Sequence, residues 1–462
     1  MNSIHFLDWA IISLYFLSLI YIGIIRQKNE RQSESGFILS GRKLSLTGFI
    51  ATLVTTWYGA ILGIGENTFL YGIQTWFIFS LPYYIFAMMY ALWIAPRINQ
   101  YGLLSIPDHF RKYFGEPVGV LSAIVITFLA SPAPYILSMG ILLEFLFGIN
   151  LGPALLISTI FSVIYIWNGG FTAVVRTDLL QFILMFLAFF LLVGFSWHSI
   201  GDPISHLKSL PEKFLDPLGG NTYQYILVWF FIAAWTFIDP GFFQRCAAAD
   251  SPKTAKKGIL IAIGFWAIFD SLTILCGLYT IGYIQNDQAL MVYPMLALDI
   301  LPYGFFGLFI IGVLATLMST IDSLSLVSAI TVGRDILWRI KKPSKNSDPI
   351  LFIRRGLIII SVISLALAFL LPSVVQLFYA LGSVLIPGLI LPFLWTIKKN
   401  KSLIDEYYGI KWITIPIIVS MIWFSISKIT GSLLFGIEPF YPGMITSLIY
   451  FISLNVRGKH GY

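Results

Sequence analysis

The stretch Ala315-Thr316-Leu317-Met318-Ser319-Thr320-Ile321-Asp322-Ser323 places hydroxyls and a carboxylate inside an otherwise apolar run. On a helix, Thr316, Ser319, Thr320 and Ser323 fall at spacings of three and four and share one stripe, and Asp322 lies one turn beyond Ser319 on the adjoining flank. Hydroxyl and carboxylate oxygens are hard ligands, the chemistry that an alkali cation requires. Ser and Thr in a membrane helix also bond back to their own backbone or join helices together. The stripe gains meaning from the acid beside it and from two interrupted apolar runs elsewhere in the chain.

The first of these runs reads Ala51-Thr52-Leu53-Val54-Thr55-Thr56-Trp57-Tyr58-Gly59-Ala60-Ile61-Leu62-Gly63-Ile64-Gly65-Glu66, with Gly59, Gly63 and Gly65 close together and Glu66 near its end. The second reads Ala234-Trp235-Thr236-Phe237-Ile238-Asp239-Pro240-Gly241. Proline removes a backbone donor and glycine loosens the chain, so neither run is expected to form one regular helix. Backbone groups freed at membrane depth are tolerated only where protein or a water-filled cavity satisfies them. Half-helix ends there suit a small cation or a polar solute. Asp178, Asp239, Asp270, Asp322 and Glu144 fall in or at the ends of apolar spans, where an unpaired charge is costly. Asp270 and Glu144 receive no role.

The elements that must carry these residues follow from composition. The chain has 462 residues, 58% hydrophobic and 11% charged, against about 25% charged in a soluble domain. Apolar runs of about 20 residues predict thirteen transmembrane spans at 7–25, 46–72, 74–95, 118–147, 151–168, 178–198, 223–243, 258–283, 304–331, 354–371, 374–397, 412–430 and 437–455. Short loops join them, so residues 1–462 read as a single all-α membrane domain. The run from Leu7 to Ile25 lacks a preceding basic residue and a small-residue cleavage site, and reads as a retained span. With the N-terminus outside, the loops 26–45, 96–117, 169–177, 244–257, 332–353 and 398–411 and the C-terminal tail are cytoplasmic. Allowing a residue or two into the flanking spans, they hold all but Lys208, Lys213 and Lys428 of the 29 Lys and Arg residues. That bias predicts a multi-pass protein of the cell membrane, N-terminus outside and C-terminus inside, and explains the net charge of +7 without a nucleic-acid partner. Cys246, in a predicted polar loop, and Cys276, in an apolar segment, differ in depth and predict no disulfide. The five histidines are scattered and suggest no metal cluster.

Four segments resemble the sodium:solute symporter family, whose members include bacterial sugar, proline and sialic acid transporters. They are Ser40-Gly41-Arg42-Lys43-Leu44; Gly169-Gly170-Phe171-Thr172-Ala173-Val174-Val175-Arg176-Thr177-Asp178-Leu179-Leu180-Gln181; Gln244-Arg245-Cys246-Ala247-Ala248-Ala249-Asp250-Ser251; and Met318-Ser319-Thr320-Ile321-Asp322-Ser323 with Gly333-Arg334-Asp335-Ile336. Pro107 to Gly115 looks like the family's short cytoplasmic helix between the third and fourth spans. The resemblance implies a LeuT-like 5+5 inverted-repeat core with broken second and seventh spans. Residues 46–198 would form repeat one and 223–397 repeat two, with 7–25 an extra first helix and 412–455 two peripheral helices. It also implies a sodium ion held by the carbonyls of Thr55, Tyr58 and Thr316 and the hydroxyls of Ser319 and Thr320. Thr316 stands where the family more often has a smaller residue, which a carbonyl ligand tolerates. A second cation in some members would here face Asp178, Ser319, Asp322 and Ser323. Asp322 replaces a hydroxyl those members can carry, and two close carboxylates do not both ionise readily without a cation.

By the same resemblance, the solute would contact Trp57, Leu62 and Glu66 on the second span, Tyr135 on the fourth, Trp235, Thr236 and Asp239 on the seventh, and Tyr379 on the eleventh. Sugar transporters carry polar groups at the positions that are Leu62, Ile232 and Tyr379 here. The expected solute is therefore smaller or partly apolar, cationic or zwitterionic if Glu66 and Asp239 face it; helix capping or ion pairing is the other reading of those acids. The expected activity is sodium-coupled symport of a small organic solute into the cell by alternating access, the partners being the solute, sodium and the bilayer. Proton coupling in the same fold and a non-transporting sensor are the alternatives. Neither HExxH nor GxSxG occurs, and no enzyme is expected.

Overall fold

The computed structural model describes residues 4–23, 33–284, 289–342, 348–370, 373–398 and 405–457. Parts of the basic loops expected at 26–45, 332–353 and 398–411, and the end of the tail, lie outside them. The helices, in order, are α1 Phe6–Gly23, α2 Glu34–Leu39, α3 Leu46–Trp57, α4 Ile61–Tyr71, α5 Gln74–Phe79, α6 Leu81–Met89, α7 Ala95–Tyr101 and α8 Ile106–Phe114. There follow α9 Glu116–Leu129, α10 Ala133–Phe147, α11 Leu151–Ile200, α12 Pro203–Ser209, α13 Tyr223–Ile232, α14 Pro240–Ala248 and α15 Pro252–Thr280. The last are α16 Val292–Ile300, α17 Phe305–Ile330, α18 Arg339–Lys341, α19 Pro349–Leu370, α20 Val374–Lys398, α21 Glu406–Thr430 and α22 Phe440–Arg457.

Among the described residues, nine helices are long and apolar enough to cross a membrane, and ten if α3 and α4, bent by 52°, count as one span. Shorter apolar helices at Phe6–Ile22, Leu151–Phe161 and Phe440–Leu454 fall on the first, fifth and thirteenth expected spans. Length and composition thus support nine or ten crossings, fewer than the thirteen expected. The helix starts follow local chemistry. Ser45 accepts from the Gly48 N–H at 3.3 Å to cap α3, and Ser251 accepts from Thr254 N–H at 3.1 Å, ahead of Pro252, to cap α15. Gly170, at φ 52°, divides α11 between the expected fifth and sixth spans. A Cβ there would meet the Phe37 carbonyl oxygen at 2.5 Å, so only glycine fits.

At the centre lies α17, continued by a wide helical turn to α18. Nearly every residue from Phe306 to Asp335 is buried, including Thr316, Ser319, Thr320, Asp322 and Ser323. A helix buried on all sides can carry a polar stripe only where neighbouring helices answer it. The N-terminus of α17 is capped from α1: the Asp8 carboxylate accepts from Gly304 N–H at 2.8 Å and Gly307 N–H at 2.7 Å. Asp8→Ala should therefore cost roughly 1–2 kcal/mol, read as a lower thermal midpoint of the purified protein. An unchanged midpoint would mean that water caps α17 equally well.

The other end of the site is held by backbone. Leu44 N–H donates to Ala248 O at 3.0 Å and Asp250 N–H donates to Leu44 O at 3.1 Å, tying the start of α3 to the end of α14. The expected 223–243 span and 244–257 loop are thus corrected: helix continues to Ala248, and Arg245 and Cys246 are fully buried in it. The Gln244 amide donates to Ile38 O at 2.9 Å, and the Nη atoms of Arg245 find acceptors inside the protein. Both cysteines are free.

Candidate functional site

The backbone leaves the α3 helix at Tyr58 (φ −96°, ψ 21°) and resumes at α4 after Ala60 (φ −88°, ψ 17°). Thr55 turns its hydroxyl back on the Ala51 carbonyl at 2.9 Å, and its own carbonyl receives Tyr58 N–H at only 3.4 Å. The Tyr58 carbonyl accepts from Ile61 N–H at 3.0 Å, while its phenol points away and donates to Trp266 O at 3.0 Å. Tyr58 therefore offers the site main-chain oxygen only.

The α17 stripe faces this break. Thr320 donates to Thr56 O at 2.9 Å and to Thr316 O at 3.0 Å. Thr316 itself bonds back to Val313 O at 2.7 Å. Ser319 donates to the Asp178 carboxylate at 2.6 Å and lies 3.3 Å from the Thr56 hydroxyl. Thr52 donates to the other Asp178 oxygen. The five sequence-derived sodium positions thus gather around one break, and Thr52 and Thr56 join them; their spacing within Thr52-x-x-Thr55-Thr56 was the available signal.

Arg245 belongs to a segment that carries the family resemblance, but the sequence assigned it no place in the site beyond a charge of the 244–257 loop. Asp239 begins α14, its carboxylate accepting from Phe242 N–H at 2.8 Å, and α14 carries Arg245 inward. The guanidinium donates to Thr52 Oγ1 at 2.8 Å, Thr56 Oγ1 at 2.6 Å, Ser323 Oγ at 2.9 Å and Gly241 O at 3.2 Å. The planar fork serves several oxygens at once, and the carboxylates of Asp178 and Asp239 supply opposite charge nearby. A lone Arg inside Phe242-Phe243-Gln244-Arg245-Cys246-Ala247-Ala248 could have marked it.

Of the set Asp178, Ser319, Asp322 and Ser323, Ser319 bonds Asp178 and Ser323 joins them through Thr56, while Asp322 stands apart. Ser323 is held by Arg245 and by Thr56, 3.0 Å away. Asp322 makes no hydrogen bond to Asp178; among the described residues both its oxygens are buried without a hydrogen-bond partner. At about 100° per residue, Ser323 lies about 40° to one side of Ser319 and Asp322 about 60° to the other. That second flank faces α1, where the Tyr15 hydroxyl meets Met318 Sδ at 3.8 Å.

A cavity of about 120 Å³ lies between the α3–α4 break and the α13–α14 break. Between α13 and Asp239 the chain tightens over Ala233–Ile238, and Asp239 is extended (φ −71°, ψ 118°). Trp57, Tyr135, Trp235, Thr236 and Asp239 line the cavity, together with Thr56, Tyr83, Trp229, Phe242 and Arg245. Trp57 packs edge-on to Tyr83 at 4.9 Å and to Phe242 at 5.8 Å between ring centroids. The Thr236 hydroxyl is turned back to Ala233 O at 2.9 Å. Leu62, Glu66 and Tyr379 lie outside its lining. Ala60 and Ile64 face the cavity, and Leu62 and Glu66 lie about 200° round the helix from them. Phe378 and Leu381 line it from α20, whereas Tyr379 turns away to donate to Glu438. Nothing in the sequence marked Tyr83 or Trp229. No group of three His, Cys, Asp or Glu side chains among the described residues could hold a metal ion.

An all-helical, multi-pass membrane protein with interrupted helices around a polar core has the build of a transporter. The sequence profile of the Sodium:solute symporter family matches residues 37–398. The chain belongs to that family. It is 24% identical to the sodium/glucose cotransporter 1 of Ovis aries over 78% of this chain, and spans 62% of that protein's length. It is 24% identical to the osmoregulated proline transporter OpuE of Bacillus subtilis (strain 168), covering 97% of this chain and 94% of the relative. A substrate-bound, outward-open structure of a Na+-coupled sialic acid symporter shares the fold, with a TM-score of 0.80 at 16% identity over 99% of this chain and 98% of that one. These relatives are transporters, not enzymes.

Proposed function

We propose that the chain carries a small organic solute into the cell together with sodium, by alternating access. The observation that carries this is the meeting of the Ser319 and Thr320 hydroxyls with the backbone break at Thr55–Tyr58 in a chain of this family. In this reading sodium is held by the carbonyls of Thr55, Tyr58 and Thr316 and the hydroxyls of Ser319 and Thr320, an all-oxygen set suited to a hard cation. Thirteen spans, N-terminus outside, form an extra first helix, two inverted repeats of five and two peripheral helices. The breaks in the second and seventh spans supply the two ends of the site.

The solute occupies the cavity beside Trp57, Tyr135, Trp235, Thr236 and Asp239. Aromatic walls with one carboxylate and one guanidinium favour a small zwitterion or organic cation over a hexose, whose many hydroxyls would face apolar groups. The proline transporter among the relatives accords with that class.

Uptake into proteoliposomes under an imposed sodium gradient, with proline, choline, glucose and sialic acid as competitors, tests both parts. Competition by proline or choline is expected; preference for glucose would overturn the solute class. Ser319→Ala with Thr320→Ala should raise the sodium concentration for half-maximal uptake by at least about tenfold, since each polar contact to a charge is worth roughly 1.5–3 kcal/mol. Uptake that follows a proton gradient with sodium absent would overturn the coupling.

A further inference from the structure

The chain between α21 and α22 places one carboxylate deep in the protein. Glu438 is only 6% exposed, although Leu433, Phe435 and Ile437 just before it are exposed. It accepts the hydrogen bond from the Tyr379 hydroxyl of α20. Tyr379 in turn packs on Trp229 of α13, with centroids 6.1 Å apart. Trp229 and Phe79, 5.0 Å apart, both line the solute cavity. The start of α22 makes two more contacts with α13: Tyr441 donates to Gln224 O at 3.4 Å, and Phe440 stacks on Phe231 at 6.5 Å. The segment from Glu438 to Tyr441 thus joins α20, through Tyr379, to α13, through Phe440 and Tyr441, and the residues Trp229, Ile232, Phe378 and Leu381 of these helices wall the cavity.

We infer that Glu438 is a positioning residue of the transport cycle: it seats Tyr379 against Trp229 and so closes the α13–α20 end of the solute cavity. It touches no cavity space itself and acts through Tyr379. Release of one hydrogen bond to a charged acceptor frees Tyr379 and, with it, the cover formed by Trp229. The inference rests on the proposed orientation only in that this end then opens to the cell exterior.

The test uses Ala60→Cys as a reporter in the cavity, the native Cys246 and Cys276 being fully buried. Its modification by a membrane-impermeant methanethiosulfonate, which forms a mixed disulfide on the thiol and releases methanesulfinate, is timed on intact cells and on inside-out vesicles. Glu438→Ala and Tyr379→Phe should each speed labelling about tenfold, the scale of a hydrogen bond to a charged group. Glu438→Gln keeps an acceptor and should stay near the parent rate. Acceleration on intact cells supports both the closure and the orientation. Acceleration confined to inside-out vesicles supports the closure and overturns the orientation. Unchanged rates in both preparations overturn the closure. A matching rise at Ala262→Cys, buried on α15 outside the cavity lining, would also overturn it by showing general loosening.

Discussion

Arg245→Met is expected to abolish sodium-driven uptake and to lower the thermal midpoint of the purified protein. The guanidinium is fully buried and is the hub through which Thr52, Thr56 and Ser323 are held, with Asp178 and Asp239 as its charge partners. Methionine removes the hydrogen bonds to Thr52, Thr56, Ser323 and the Gly241 carbonyl, and a hydrogen bond to a charged group is worth roughly 1.5–3 kcal/mol. Arg245→Lys should recover part of the stability and little of the uptake. Nη2 serves Thr52, Thr56 and Ser323 while Nη1 serves the Gly241 carbonyl, and a lysine has no second nitrogen for that last contact. Lys253→Met, which removes an exposed charge at the start of α15, is the control and should change neither quantity. Thermal denaturation followed by size-exclusion chromatography, run beside uptake, separates the two effects. Parent-like stability and uptake in Arg245→Met would mean that Asp178 and Asp239 are answered by something other than this guanidinium.

The second large effect concerns the break itself. Gly59→Ala should reduce uptake at least about tenfold at normal expression, whereas Gly63→Ala should leave it close to the parent. A Cβ on Gly59 would stand 2.4 Å from Tyr135 Cδ1 and 2.5 Å from Thr320 Cγ2. Thr320 cannot retreat easily, since α17 is buried on all sides and the Thr320 hydroxyl is engaged by Thr56 O. Overpacking of this kind costs typically 1–3 kcal/mol, and it falls on the two side chains between which the cation and solute regions meet. A Cβ on Gly63 would meet nothing nearer than Val374 Cγ1 at 3.6 Å, an ordinary contact. The two glycines sit one turn apart in the same run, and neither has positive φ. A difference between them therefore reports close approach and not backbone freedom. Equal uptake in both variants would remove Gly59 from the moving part of the site.

Much of this was legible along the chain because it depends on local periodicity. Hydropathy places the helices, and helical spacing alone puts Ser319, Thr320 and Ser323 on one stripe. The Asp239-Pro240-Gly241 run interrupts its helix by backbone chemistry that no packing needs to supply. Trp57, Trp235 and Asp239 followed from the two breaks by position. Leu62 and Glu66 did not, because the turn of α4 after the break decides which of its faces meets the cavity.

What remained hidden depends on which distant segments meet. The charge pattern marks Arg245 as cytoplasmic, yet whether a basic residue near a span's end faces water or the core depends on what packs against that end. Here Thr52, Thr56 and Ser323 arrive from two other helices. Tyr379 and Glu438 are 59 residues apart, and their bond needs α22 folded back on α20. By itself the sequence determined the all-helical membrane class, the Asp239-Pro240-Gly241 interruption and the hydroxyl stripe, since each follows from the covalent chemistry of neighbouring residues. Only the tertiary structure decided that a buried guanidinium joins the last two and that Tyr379 serves Glu438, because a charge or hydroxyl in a membrane core goes where long-range packing brings it a partner.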